Sequence, residues 1–63
     1  MTEAKEFIGM SKFGAQALAE SRNMIFRLLS VDGEEYFKFP EDKRDDRVCV
    51  DIVDSRIVKA VLQ

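Results

Sequence analysis

The chain has no histidine and a single cysteine, and these two scarcities remove several chemistries at once. Zinc ligation needs several imidazole or thiolate donors, and Ser-His or Cys-His nucleophilic catalysis needs an imidazole base beside the nucleophile; the parts for both are missing. The lone Cys49 has no partner for an internal disulfide, so the fold must hold without covalent staples. Proline occurs once, at Pro40, and the three glycines, Gly9, Gly14 and Gly33, are too scattered to form a phosphate-cradling loop. A calcium-loop spacing is absent too. No apolar run approaches the ~18 residues that a membrane-spanning helix needs, and Met1-Thr2-Glu3-Ala4-Lys5-Glu6 lacks the basic-then-apolar order of a signal peptide. The expectation is a soluble, cytoplasmic chain. An excess of either charge is missing as well: ten basic residues are mixed among twelve acidic ones, which leaves no electrostatic footprint for nucleic acid or an anionic membrane.

What is present is the composition of a small folded protein, 46% hydrophobic and 35% charged. A chain of 63 residues forms one domain, 1–63, with 1–6 read as a flexible arm. A domain of that size buries only about 60% of the surface its unfolded form exposes, so any function must sit on the outside. Carboxylates are plentiful, but there is little room for the deep pocket that would shift their pKa values for acid–base work. We therefore expect no enzyme activity, no metal and no cofactor.

Along the chain, Phe7, Ile8 and Met10 end the arm and are expected to dock on the core. Ser11 is a good N-cap for a helix over Lys12 to Ser21, with Ala15, Leu18 and Ala19 on its buried face and Asn23 as a left-handed stop. Met24 to Val31 reads as a strand, and Asp32-Gly33 as a tight turn. Tyr36-Phe37-Lys38-Phe39 suits a short strand or an extended arm that Pro40 ends, because proline has no amide hydrogen to donate. The next stretch, Phe39 to Val48, carries seven charged residues and one proline. After it, Val48, Val50 and Ile52 alternate with Cys49, Asp51 and Val53, Asp54-Ser55 makes a turn, and Arg56 to Leu62 forms a last strand. The thiol of Cys49 reads as half-buried and structural. Met10, Phe13 and Met24 read as packing residues, and Tyr36, Phe37 and Phe39 as sheet or core residues. The expected fold is α+β: one short helix packed on a small mixed β-sheet with an exposed loop.

In that order the segments resemble the potato inhibitor I type of serine protease inhibitor and its shorter bacterial relatives. The likeness rests on Phe7-Ile8-Gly9-Met10-Ser11 before the helix, on Ile25-Phe26-Arg27-Leu28 in the first core strand, and on Val50-Asp51 and Ile57-Val58 in the closing strand pair. Its most specific piece is Asp42-Lys43-Arg44-Asp45-Asp46-Arg47-Val48, similar to the end of that family's binding loop. The resemblance implies a long exposed loop joining two parallel strands, held extended so that it enters a protease cleft as a substrate would. It implies a protease-binding loop of Phe39, Pro40, Glu41, Asp42, Lys43 and Arg44, with Glu41 in the specificity pocket and the scissile bond between Glu41 and Asp42. Arg47 would brace the loop from beneath. The chain departs from the family at Pro40 and Glu41, where a threonine and a hydrophobic residue are usual, at Lys43 in place of an aromatic residue, and at Cys49 in place of a further arginine. A glutamate in the pocket position would be rejected by chymotrypsin-like and trypsin-like sites, because a buried unpaired charge is costly, and accepted by an acid-preferring protease.

Two function classes follow. One is a serine protease inhibitor acting through residues 39–44. The other is a noncatalytic protein–protein interaction module of the same fold, without inhibitory activity, pairing with another protein or with itself as a homodimer through an open sheet edge.

Overall fold

Asn23 adopts φ 58, the left-handed conformation that lets a helix stop and the chain turn into its first strand. Upstream of it, helix α1 runs Lys12–Ser21, and its N-cap Ser11 accepts a hydrogen bond from the Gly14 amide at 3.1 Å. The computed structural model describes residues 2–38 and 41–63. In these, α1 follows a short 3-10 helix, Ala4–Phe7, and precedes strands β1 (Ile25–Val31), β2 (Glu34–Glu35), β3 (Arg47–Val53) and β4 (Arg56–Leu62). No described helix is long and apolar enough to cross a membrane.

The sheet order is β2-β1-β3-β4. β1 and β3 are parallel neighbours, while β1–β2 and β3–β4 are antiparallel hairpins. Both hairpin turns are two residues long and left-handed throughout: Asp32 and Gly33 have φ 51 and 85, and Asp54 and Ser55 have φ 51 and 66. This is the geometry that matches the twist of paired strands, and it favours glycine at the second position. Ser55 bears a Cβ in that position, so Ser55→Gly is expected to raise the stability by about 0.5–1 kcal/mol, read from the midpoint of urea unfolding.

The two-residue period of β3 sorts its side chains onto two faces. Val48, Val50 and Ile52 join Leu28, Ile57, Phe7 and the helix residues Ala15 and Ala19 in one buried core, with Met10, Leu18 and Met24 packed against it. Small alanines on α1 let the helix lie close to the sheet. Within the segment expected as a flexible arm, the 3-10 helix begins at Ala4, and Glu6 takes two hydrogen bonds from the Arg22 guanidinium at 3.0 and 3.1 Å. The N-terminal segment also covers part of the outer edge of β4: the Gly9 amide donates to the Ile57 carbonyl at 2.7 Å, and Ile57 donates to Met10 at 2.9 Å.

Three expectations are corrected. Phe13 is 77% exposed instead of packed. At 100° per residue it lies about 160° around the helix from Ala15, so the face that buries Ala15 and Ala19 turns Phe13 to solvent. Tyr36 and Phe37 are likewise exposed: the regular pairing with β1 ends at Glu35, and the chain bends at Phe37, with the amides of both residues still donating to the Leu29 carbonyl. Cys49 is buried to 1% exposure, not half-buried, although it faces away from the helix. The cause lies in what covers the second face of the sheet.

Candidate functional site: an arginine-braced loop

The second face carries Arg27, Arg47 and Cys49. Parallel pairing sets Ile25 beside Arg47 and Arg27 beside Cys49, so both guanidinium groups rise on the side opposite the helix, next to the thiol. Between β2 and β3 the described residues lie outside helix and strand, and two of them, Lys38 and Asp42, meet this side through Arg27 and Arg47. Phe39 and Pro40, the first two residues expected of the binding loop, lie outside the described residues. Glu41, Asp42, Lys43 and Arg44 are all exposed, and so is Asp45.

Arg47 is the most heavily engaged of the charged groups. Its side chain is 10% exposed. Nη2 donates to the backbone carbonyl of Asp42 and to the Asp42 carboxylate, each at 3.1 Å. Nε donates to the Gln63 carbonyl at 3.0 Å, and Nη2 donates to that same oxygen. Gln63 answers through its amide, which donates to the Arg47 carbonyl at 3.0 Å, and the Arg44 amide reaches the Gln63 carbonyl at 3.2 Å. The end of β4 thus serves as the floor on which Arg47 and Arg44 are seated. Hydrogen bonds from a charged donor are roughly twice as strong as neutral ones, and here they hold Asp42 to the sheet by both its backbone and its side chain.

Arg44 makes a second, local brace. Its Nε and Nη2 form a two-pronged pair with the Asp46 carboxylate, both contacts at 2.8 Å. The Asp46 carbonyl accepts the Ile25 amide at 2.7 Å, which extends the β1–β3 pairing by one rung and sets where the loop ends.

The electrostatics follow from these partners. The hydrogen bond from Arg47 holds the Asp42 carboxyl below the usual carboxylate range, and that from Arg44 does the same for Asp46. The Arg44 guanidinium is correspondingly harder to deprotonate. Glu6 is lowered by Arg22. A carboxylate with a depressed folded-state pKa contributes stability that is present above its unfolded pKa and is lost as pH falls through the folded value. The unfolding midpoint is therefore expected to stay nearly level from about pH 7 to about pH 5 and to fall below about pH 4, a course read from denaturation at a series of pH values. A midpoint that climbs on acidification would contradict these assignments.

Burial pushes the Cys49 thiol up, against the opposing pull of Arg47 and Arg27. It is a free thiol, held as the neutral, poorly nucleophilic form at neutral pH. No group of three or more Cys, Asp or Glu among the described residues is arranged to hold a metal ion. What the arrangement can do is present the exposed, charged residues Glu41 to Arg44 to another molecule while holding Asp42 and Arg44 to the sheet.

Two contributors were not read from the sequence. Gln63 gave no signal, because a backbone carbonyl has no residue code. Arg27 gave a weak one: it is the only cation inside the apolar run Ile25–Val31. Comparison of the chain with protein-family models, with curated proteins and with solved structures finds no match in any of the three.

Proposed function

We propose that the protein is a small, noncatalytic serine protease inhibitor that presents residues 39–44 to an acid-preferring protease, with Glu41 in the specificity pocket. The observation that carries this reading is the seating of Asp42 by the buried Arg47 guanidinium, one residue after the proposed pocket side chain. Fixing the segment in advance lowers the conformational entropy lost on docking. In the extended pose its backbone adds a strand to the edge of the enzyme cleft.

The same contact supports inhibition over turnover. Attack on the Glu41 carbonyl would release the Asp42 amine as leaving group. Because Arg47 holds Asp42 through its carbonyl and its carboxylate, that amine stays beside the acyl group and can reattack, re-forming the peptide bond. An unbraced peptide would diffuse away and be consumed.

The test is incubation with a broad panel of serine proteases that includes enzymes selective for acidic residues, followed by mass spectrometry of the chain. Tight inhibition of an acid-selective member is expected, with slow cleavage confined to the Glu41–Asp42 bond. Glu41→Ala is expected to weaken that inhibition by roughly thirtyfold or more, the effect of losing a central interface side chain, with no loss of folding. A parent protein that inhibits no member of the panel would end this reading.

The exposed aromatic residues favour a second reading, a protein–protein interaction module without inhibition. Phe13 on the helix and Tyr36 and Phe37 beside the loop present apolar area to solvent on a chain this small. It predicts a concentration-dependent homodimer in sedimentation velocity or a specific protein retained on the immobilised chain. A monomer at every concentration with no retained protein removes it.

A further inference from the structure

We infer that Arg27 is a second clamp on the loop, a positioning residue that fixes the upstream arm as Arg47 fixes the downstream side. Its Nε and Nη2 both donate to the Lys38 carbonyl, at 3.2 and 3.1 Å. The guanidinium lies over the Phe37 ring, 5.4 Å from its centroid. One step back along the chain, the amides of Tyr36 and Phe37 donate to the Leu29 carbonyl at 2.9 and 3.4 Å. Two prongs on one oxygen fix direction as well as distance, and a planar cation stacked on a ring fixes the plane; a lysine ammonium does neither.

The strand register makes the two clamps a unit. Arg27 stands beside Cys49, and Arg47 precedes Cys49 by two residues on the same face. One arginine therefore pins the carbonyl of residue 38 and the other the carbonyl of residue 42, with Glu41 between the two fixed points. The thiol of Cys49, 1% exposed, lies beside both guanidiniums and reports whether they stay in place.

That the clamp tunes protease binding rests on the inhibitor reading; the clamp itself does not, and it is tested on the free protein. Amide hydrogen exchange is followed by NMR for the parent, Arg27→Gln and Arg27→Lys, together with the rate at which an aromatic disulfide reagent modifies Cys49. In Arg27→Gln the exchange of the Tyr36 and Phe37 amides and the modification of Cys49 are expected to rise about tenfold, the loss of one charge-assisted contact, while the Val50 and Ile52 amides keep their parent rates. Arg27→Lys, which keeps the charge and loses the fork, is expected to fall between, at about threefold. Rates for Tyr36, Phe37 and Cys49 that stay within about twofold of the parent would overturn the proposal, as would a rise shared equally by Val50 and Ile52. If Arg27→Gln does not fold, Arg27→Lys decides by the same criteria. In the protease assay, Arg27→Gln is expected to be cut faster between Glu41 and Asp42 than the parent; a parent that inhibits nothing ends the inhibitor reading and leaves the exchange result standing.

Discussion

Phe7→Ala is expected to leave the protein largely unfolded at room temperature, seen as loss of the cooperative urea transition and of native amide dispersion. Phe7 is the largest of the side chains with no exposed surface. It comes from the last position of the 3-10 helix Ala4–Phe7 and enters a core otherwise made of Ala15, Ala19, Leu28, Val48, Val50, Ile52 and Ile57. Truncating a buried phenylalanine costs about 3–5 kcal/mol, the transfer of the ring plus the void it leaves. The total stability of a domain this small is of order 5 kcal/mol, and with a single cysteine no internal disulfide supplements it. The fully buried residues that α1 contributes are alanines, with no side-chain length to swing into the void, which leaves little but a shift of the helix to fill it. Phe7→Leu, which keeps most of the volume, should remain folded with a loss of about 1–1.5 kcal/mol. A Phe7→Ala protein that unfolds cooperatively within about 1 kcal/mol of the parent would show that the N-terminal segment is not part of the core.

The elements that could be read from sequence are those whose signals are local. Helix α1 begins where Ser11 can cap it and stops before the left-handed Asn23. β3 follows from its period of two over Val48 to Val53, and β4 from the Asp54-Ser55 turn and the largely apolar run after it. Features that depend on register were hidden. A bulge between Leu28 and Ser30 shifts β1 against β3, and a second, at Val58, shifts β4. The burial of Cys49 depends on which residues of the parallel neighbour stand beside it. Arg27 and Arg47 are 20 positions apart, and only the β1–β3 pairing brings them to one patch. Within the candidate site, Glu41 to Arg44 were legible as an exposed charged connection because they lack the apolar side chains to fold inward. Arg47 was legible only through the resemblance, since nothing in the residue itself separates a buried brace from a surface ion. The parallel arrangement that the resemblance implied is the one β1 and β3 adopt; the inhibitory activity it implies remains the proposal made above.

Arg47→Ala is expected to lower the stability by about 2–3 kcal/mol and to free the loop at the same time, because the guanidinium is a buried donor whose acceptors belong to two separate parts of the chain. Removing it takes both side-chain donors from the Gln63 carbonyl, undoes the seat of Asp42 and uncovers the Cys49 thiol. The contact with the Asp42 carboxylate is the smaller share of this: that side chain is 68% exposed, and an ion pair so open to water is weakened by solvent and salt. Asp42→Asn, which keeps the backbone carbonyl and removes only the charge, should therefore change the unfolding midpoint little at pH 7. It should also remove the Asp42 part of the stability lost below about pH 4. The double variant should match Arg47→Ala alone, since Asp42 has nothing left to pair with from β3. Midpoints for the four proteins, with the Cys49 modification rate measured on each, separate the two contributions. If Asp42→Asn destabilised as much as Arg47→Ala, the surface charge would be the brace and the buried carbonyl contacts incidental. If Arg47→Ala left both the midpoint and the thiol rate unchanged, the loop would be held by something other than β3, and the argument that Asp42 stays beside a cleaved Glu41 would fall with it.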